Sequence, residues 1–343
     1  MVLSETEKNK VWLVIGACGQ DGSHFLDILI EKGYNISGIH GTMRRSSSFN
    51  TSRIDHIFNK ITMHYIDLTD ATNVFNIIGN VRPDYIVNFA AQSHVQVSSE
   101  LSNYTLQVNT IGVLNILQSV KTLELNSCRI YQASTSEMYG NAIKNTGKSL
   151  NEYTTQTPVS IYGISKMASE HLCNYYRDAY GMFIVNSILF NHTGPRRGGT
   201  FVTQKIANFV KKYKNNSDCV LELGNLNAKR DWGYAKDYCE AIYLMLLQPN
   251  PDNYVIASGE THSVREFVEK AFKCINIEVE WKGEGIDEVG IDKNTGKIII
   301  RINPRYYRAI DIDCLLGDYS KAKRILEWEP KTSFDTIVRM MVN

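Results

Sequence analysis

The sequence predicts an α/β fold, a doubly wound parallel sheet joined to a smaller mixed α/β lobe. Short β-branched runs alternate with helical-period segments through the first half, a glycine-rich turn links the first run to the first helix, and beyond residue 190 the rhythm loosens. Residues 11–15, 35–39, 61–65, 85–89 and 129–133 read as strands, and 183–189 as a further one. Between them, residues 23–31, 70–79, 106–123 and 164–179 carry the three-to-four apolar spacing of helices that cover a sheet. Later come a helix at 204–213, loops around Gly198, Gly199 and Gly224, and a Lys/Glu-rich stretch at 278–301. The expected division is a first domain over 1–190, rejoined by 234–260 through a helix at 237–247 and a strand at 254–257, and a smaller lobe over 191–343.

The 343 residues can bury a large core. With 37 Lys plus Arg against 36 Asp plus Glu, no field of one sign exists to hold nucleic acid or an anionic membrane. Anionic ligands must therefore be gripped locally. The longest apolar stretches are strand-length, far short of the roughly 20 residues of a membrane helix. The polar N-terminus runs directly into a strand without the apolar core of a secretory signal, so a cytoplasmic protein is expected. Its seven scattered cysteines form no C-x-x-C pair, which points to reduced thiols and no metal centre.

Directly after the first strand comes Gly16-Ala17-Cys18-Gly19-Gln20-Asp21-Gly22, with glycines spaced three apart and opening a helix. One glycine permits the turn, one lets backbone amides approach a pyrophosphate and one lets helix pack on strand, the signature of a Rossmann-type dinucleotide site. An acid after the second strand would hold a ribose 2′-hydroxyl; this chain instead offers Arg44, Arg45, Ser46, Ser47 and Ser48, which suit a 2′-phosphate. NADP is expected over NAD. Asp67 and Leu68 are placed to meet the adenine, and Asp67 also suits a cap on the helix starting near Thr69.

Ser134-Thr135-Ser136-Glu137 ends the fifth strand, and Tyr162 and Lys166 stand one turn apart on a later helix. A Lys near a phenol lowers its pKa, so a tyrosinate can take the proton of a sugar hydroxyl as hydride leaves for a nicotinamide. Glu137 discriminates further. Simple dehydrogenation needs only the hydroxyl and the Tyr/Lys pair, whereas an added carboxylate implies an added proton transfer. Once C4 is a ketone the C5 proton is acidified, and Glu137 can remove it and help water leave C6, with Thr135 on the C4 oxygen.

These residues resemble the GDP-mannose 4,6-dehydratases of the extended short-chain dehydrogenase/reductase superfamily. The likeness spans nearly the whole chain: Gly-Gln-Asp-Gly-Ser at 19–23, Arg-Arg-Ser-Ser-Ser-Phe-Asn at 44–50, Ala-Gln-Ser-His-Val at 91–95, Tyr-Gln-Ala-Ser-Thr-Ser-Glu at 131–137, Leu-Gly-Asn-Leu at 223–226, Ala-Lys-Arg-Asp-Trp-Gly at 228–233 and His-Ser-Val-Arg-Glu-Phe-Val-Glu-Lys at 262–270. The resemblance implies that Thr135, Glu137 and Tyr162 are catalytic, and that Lys166, Tyr104, His192 and Arg197 contact the cofactor. It places Phe89, Ala90, Ala91, Gln92 and Ser93 along the nicotinamide, with Ser93, Asn191, Lys205, Arg230 and Arg308 on the GDP-sugar. It also implies a homo-oligomer, dimer or tetramer, in which the arginine-serine loop reaches a neighbouring subunit.

Departures bear on the sugar. The family's Gly-Ile-Thr-Gly loop is Gly16-Ala17-Cys18-Gly19 here, and two extra residues precede the arginines near Gly41-Thr42. Asn-His-Glu-Ser-Pro becomes Asn191-His192-Thr193-Gly194-Pro195, and Arg-Pro-Thr-Glu becomes Arg308-Ala309-Ile310-Asp311. Loss of a carboxylate and added slack would suit the GDP-manno-heptose of a close branch, so both sugars stay open. A GDP-sugar epimerase or 4-reductase, which would not need Glu137, and a non-catalytic NADP-binding scaffold are the alternatives from other activities and classes.

Overall fold

A computed structural model describes residues 3–214, 219–306 and 312–343, the side chains of 145 and 146 excepted. Its centre is an all-parallel sheet of seven strands: β1 (Trp12–Ile15), β2 (Ile39–Met43), β3 (Thr62–Tyr65), β4 (Tyr85–Asn88), β5 (Arg129–Ala133), β6 (Phe183–Leu189) and β7 (Asn253–Ile256). They lie in the order β7-β6-β5-β4-β1-β2-β3. Both faces are covered, which is why β1 and β4 are buried at every residue. Trp12 and Val14 enter one core with Tyr131, Phe25 of helix α1 (Gln20–Lys32) and Met245, while Leu13 and Ile15 enter the other with Ile86 and Ile184. Helices α2 (Ala71–Val81), α3 (Gly112–Thr122) and α4 (Ile161–Tyr180) supply that second core, and α5 (Ala235–Leu246) lies with α1 on the first. Winding reverses between β1 and β4, so the loops at their carboxyl ends part and open a crevice.

A further core, separate from both, joins helices Val202–Tyr213, Val264–Lys273 and Phe334–Val342 to a four-stranded sheet ordered Val279–Lys282, Val289–Asp292, Ile298–Ile302 and Leu221–Leu223. Ala322, Leu326 and Trp328, late in the chain, pack back into the first core. Trp328 Nε1 donates to the Asp237 carbonyl at 3.0 Å, fixing that return on α5. All seven cysteines are free thiols.

Three elements depart from expectation. The second strand, expected at 35–39, begins at Ile39, because Ile36–Gly38 is a 3-10 turn lying against the start of β1. The Asn35 amide donates to Lys8 O, and a Cβ on Gly38 would stand 2.9 Å from Lys10 O. Gly41 and Thr42 are thus interior strand residues, and Arg44 follows the strand end directly. The Lys/Glu-rich stretch is an antiparallel ribbon, with Val279 and Trp281 half-buried and Glu280 and Lys282 exposed. The single helix expected at 106–123 is broken by a π-helical turn, Gln107–Ile111.

Candidate active site

The expected site residues of the first lobe stand at the carboxyl ends of β1 to β6. Gly16, Gly19, Gln20, Asp21 and Gly22 follow β1; Arg44, Arg45, Ser46 and Ser47 follow β2; Asp67 and Leu68 follow β3; Phe89, Ala90, Ala91, Gln92 and Ser93 follow β4. Thr135 and Glu137 follow β5, Tyr162 and Lys166 lie on α4, and Asn191, His192 and Arg197 follow β6. With Tyr104, Lys205 and Arg230 they line one cleft of ≈ 1460 Å³. Arg308 lies outside the described residues.

Two glycines of the first turn are required by geometry. Gly16 holds φ +87° and a Cβ there would meet Ala90 N at 2.9 Å; one on Gly22 would meet Gly16 O at 2.3 Å. Gly19 caps α1 without a side-chain acceptor, so the first helical amides are left for an anion. Asp21 sits in that first turn. Burial pushes its carboxyl up, but His192, whose Nε2 is 3.0 Å away, and then the Gln20 hydrogen bond and the Arg197 charge hold it well below the usual carboxylate range. His192 Nδ1 meets Phe190 O at 2.9 Å, fixing the ring between turn and strand end.

His24, one turn along α1, is buried with Nε2 unpartnered among the described residues. Burial, then Arg196, pushes it down to about 4 from 6.5. Between these values the unfolded chain binds a proton that the folded chain refuses, so this group makes stability fall as pH falls. The full loss is about 3 kcal/mol. Denaturant unfolding of His24→Gln beside the parent should therefore show the parent losing about 2–3 kcal/mol more on acidification from pH 7 to about 4. Parallel losses would contradict the assignment.

At the strand ends some expected roles shift. Asp67 does not cap α2; its Oδ1 accepts from Thr69 N (2.9 Å) and Oγ1 (2.8 Å), and Asp70 is the cap. Arg44 to Ser47 are exposed, with Arg44 donating to the Tyr104 phenol. The Gln92 amide donates to Asn109 Oδ1 at 2.8 Å, and Asn109 Nδ2 donates to Gln92 O and to Ser165 Oγ, each at 3.0 Å. Asn109 lies in the π turn, which turns it toward the loop after β4. Neither Asn109 nor Ser165 was singled out in the sequence, because a lone Asn on a helix carries no signal. Arg53 was also missed: its Nη1 donates to Cys18 O at 3.3 Å and its Nε to Arg196 O at 2.6 Å.

Thr135, Glu137, Tyr162 and Lys166 converge. Thr135 caps the short 3-10 helix Ser136–Tyr139, with its hydroxyl accepting from Glu137 N at 3.3 Å. Gly163 lets α4 press onto this turn, since a Cβ there would meet Glu137 O at 2.8 Å. The Tyr162 amide is pinned by Ser98 Oγ at 3.2 Å. Lys166 does not pull the phenol down here. Burial pushes Tyr162 up to about 12, the Thr135 hydrogen bond opposes it, and Glu137 adds to the rise. The Lys166 ammonium is spent on Ala133 O at 2.8 Å, and burial lowers it to about 8.

On the other side of the cleft, Lys205 Nζ donates to Glu222 O at 2.6 Å and rests 3.6 Å over the Tyr306 ring. Arg230 Nη1 donates to Ile312 O at 2.7 Å, and neighbouring Asp231, fully buried, accepts from Ser258, Gly259 and Gly317 amides. Burial pushes the Asp231 carboxyl up to about 6. The departures at 193–194 add no slack. Thr193 Oγ1 is tied to Thr203 Oγ1 at 2.7 Å, and a Cβ on Gly194 would meet the Tyr234 ring at 2.9 Å.

A family model described as GDP-mannose 4,6 dehydratase matches residues 13–341. The chain belongs to that family. A GDP-mannose 4,6 dehydratase of Drosophila melanogaster is 47% identical over 344 residues, covering 98% of this chain and 86% of that protein. Among solved structures, a UDP-glucose 4-epimerase of Thermus thermophilus in complex with NAD superposes with TM-score 0.79 at 24% identity, over 96% of this chain and 97% of that one. RMD from Pseudomonas aeruginosa, complexed with NADPH, gives 0.74 at 20%, over 97% and 98%. These two carry the fold of the family. Among the described residues no helix is long and apolar enough to cross a membrane, and no group of three or more His, Cys, Asp or Glu could hold a metal.

Proposed function

We propose that this enzyme, a nucleotide-sugar 4,6-dehydratase, converts GDP-mannose to GDP-4-keto-6-deoxymannose using NADP, with Thr135, Glu137, Tyr162 and Lys166 as its reacting group. The observation that carries the reading is the junction of the Thr135 turn with the start of α4, which brings a carboxylate beside a hydroxyl-bonded phenol. Family membership favours the six-carbon sugar over the heptose, as does the closed packing at Thr193 and Gly194.

The residues suit a dinucleotide. Gln20 Oε1 and Asn191 Oδ1 are buried and unpartnered among the described residues, at the two sides of the cleft where cofactor and sugar would meet the chain. The Gly16–Gly22 turn and its amides would hold the pyrophosphate, Phe89–Ser93, His192 and Arg197 the nicotinamide side, and Arg44 to Ser47 the 2′-phosphate. Bound there, a nicotinamide would supply the hydride acceptor for C4 and the hydride returned to C6. Tyr162 takes the C4 hydroxyl proton, with Thr135 holding that oxygen and Lys166 one turn further along α4 to meet the cofactor. Glu137 then takes the C5 proton and protonates the departing C6 hydroxyl, which leaves as water, and a solvent-exchanged proton passes from Tyr162 to C5 as hydride reaches C6. Asn191, Lys205 and Arg230 hold the GDP portion. Solvent hydrogen entering at C5 during turnover in heavy water tests the scheme.

The preference for NADP rests on Arg44 and Arg45. Reversing both to Asp should weaken NADP binding by about 100-fold while leaving NAD within about threefold. Equal losses for the two cofactors, in a fluorescence titration, would remove the 2′-phosphate role. A homo-oligomer is supported by exposed apolar residues on α4, Ile164 and Tyr175. Tyr175→Asp should lower the sedimenting mass by at least one subunit; an unchanged mass would place the contact elsewhere.

A further inference from the structure

A second cavity of ≈ 350 Å³ adjoins the cleft, with Arg53 and Arg197 in both walls and Ser52, His56, Pro195 and Arg196 in its own. Its lining side chains are three guanidiniums, an imidazole and a hydroxyl, with no carboxylate among them. Two acids meet them. Asp21 faces Arg197, and Asp27 has both oxygens engaged: Oδ2 lies 2.7 Å from Arg196 Nη2, and Oδ1 lies 2.7 Å from His56 Nε2. Three guanidiniums against these two carboxylates leave an excess of one positive charge around the cavity.

Arg196 Nη1 is buried and has no hydrogen-bond partner among the described residues. A charged donor left in that state is unfavourable unless something accepts from it. Arg53 adds donors beside it, held in place by Arg196 O, Cys18 O and Asn50 Oδ1. An unspent planar donor, a net positive potential and a nearby hydroxyl complement a tetrahedral oxyanion. The volume is at the small end for ligand sites, enough for a phosphate carrying a small organic group.

We propose that this cavity is a second anion site, separate from the cofactor cleft, that takes a phosphate-class dianion, either inorganic phosphate or the phosphoryl group of a small ester. Ser52, His56 and Arg196 do not line the main cleft, so substitutions there leave the walls of the cofactor cleft in place.

The test is a thermal-shift titration of the NADP-saturated protein with inorganic phosphate at constant ionic strength, run on the parent, Arg196→Gln and Asp27→Asn. Both variants break the same ion pair, so a purely structural role would move them alike. The proposal expects opposite signs: the apparent Kd rises at least about tenfold in Arg196→Gln and falls about threefold in Asp27→Asn. Where Arg196→Gln fails to fold, His56→Gln beside Asp27→Asn gives the same contrast. A parallel titration with glycerol phosphate separates the sources, tighter binding assigning the site to esters and weaker binding to the free ion. No saturable shift in the parent, or one Kd shared by all variants as for an adventitious ion only, overturns the site.

Discussion

Glu137→Gln is expected to lower 4,6-dehydration by about a thousandfold while leaving oxidation at C4 in place. The side chain is nearly isosteric, so the turn capped by Thr135 and pressed by Gly163 should persist. What disappears is the base for the C5 proton. In a single turnover with GDP-mannose, the variant should therefore accumulate reduced cofactor, visible in its near-ultraviolet absorbance. The parent should not, because elimination opens C6 to the returning hydride before the reduced form builds up. Loss of both half-reactions together would mean that Glu137 only supports the turn, and retention of both would remove it from the chemistry.

Tyr162→Phe should fail one step earlier. Here kcat is expected to fall by about 10³–10⁴-fold with KM within about threefold, and no reduced cofactor should appear at any time. The burial that pushes this phenol up to about 12 sharpens the expectation. A phenol so buried holds its proton firmly, and the Thr135 hydrogen bond is the first contact that favours its loss. Lys166, lowered to about 8 and turned onto Ala133 O, has the charge but not the contact. A Tyr162→Phe protein that still reduced cofactor would hand the first proton transfer to Thr135 or Glu137. Accumulation of reduced cofactor in Glu137→Gln and its absence in Tyr162→Phe together order the steps, which neither loss of rate could do alone.

Local pattern carried much of the fold. The strands at Arg129–Ala133 and Phe183–Leu189 are legible to the residue because both faces of the sheet are buried and β-branched and aromatic residues dominate them, with Gln132, Asn186 and Ser187 buried among these. It failed where distant backbone decides. Residues 35–39 look like a strand, yet the approach of Gly38 to Lys10 O turns them into a 3-10 bend and moves the strand to Ile39-His40-Gly41-Thr42-Met43. The ribbon at Val279–Lys282 was readable from its alternation, but its charged exposed face resembles a loop. The π turn at Gln107–Ile111 has no local signal, since Asn109 is drawn by partners 17 and 56 residues away.

The same division holds at the site. Gly16, Thr135 and Tyr162 could be picked out because strand ends and helical spacing bring such residues to one edge of a sheet. The pairing of Asp21 with His192, 171 residues apart, and the hold of Arg53 on Cys18 O could not. The direction of the Tyr162 shift is likewise opposite to the one that helical spacing suggests, because proximity of a Lys in a helix does not say that its ammonium is already engaged.

The most direct test of the central claim is turnover of GDP-mannose in heavy water with NADP far below the substrate concentration, the product being read by mass and by proton resonance. The product should carry solvent deuterium at C5 and none at C6, and it should far outnumber the cofactor molecules present. Protium retained at C5, or one NADP consumed for each product formed, would contradict it.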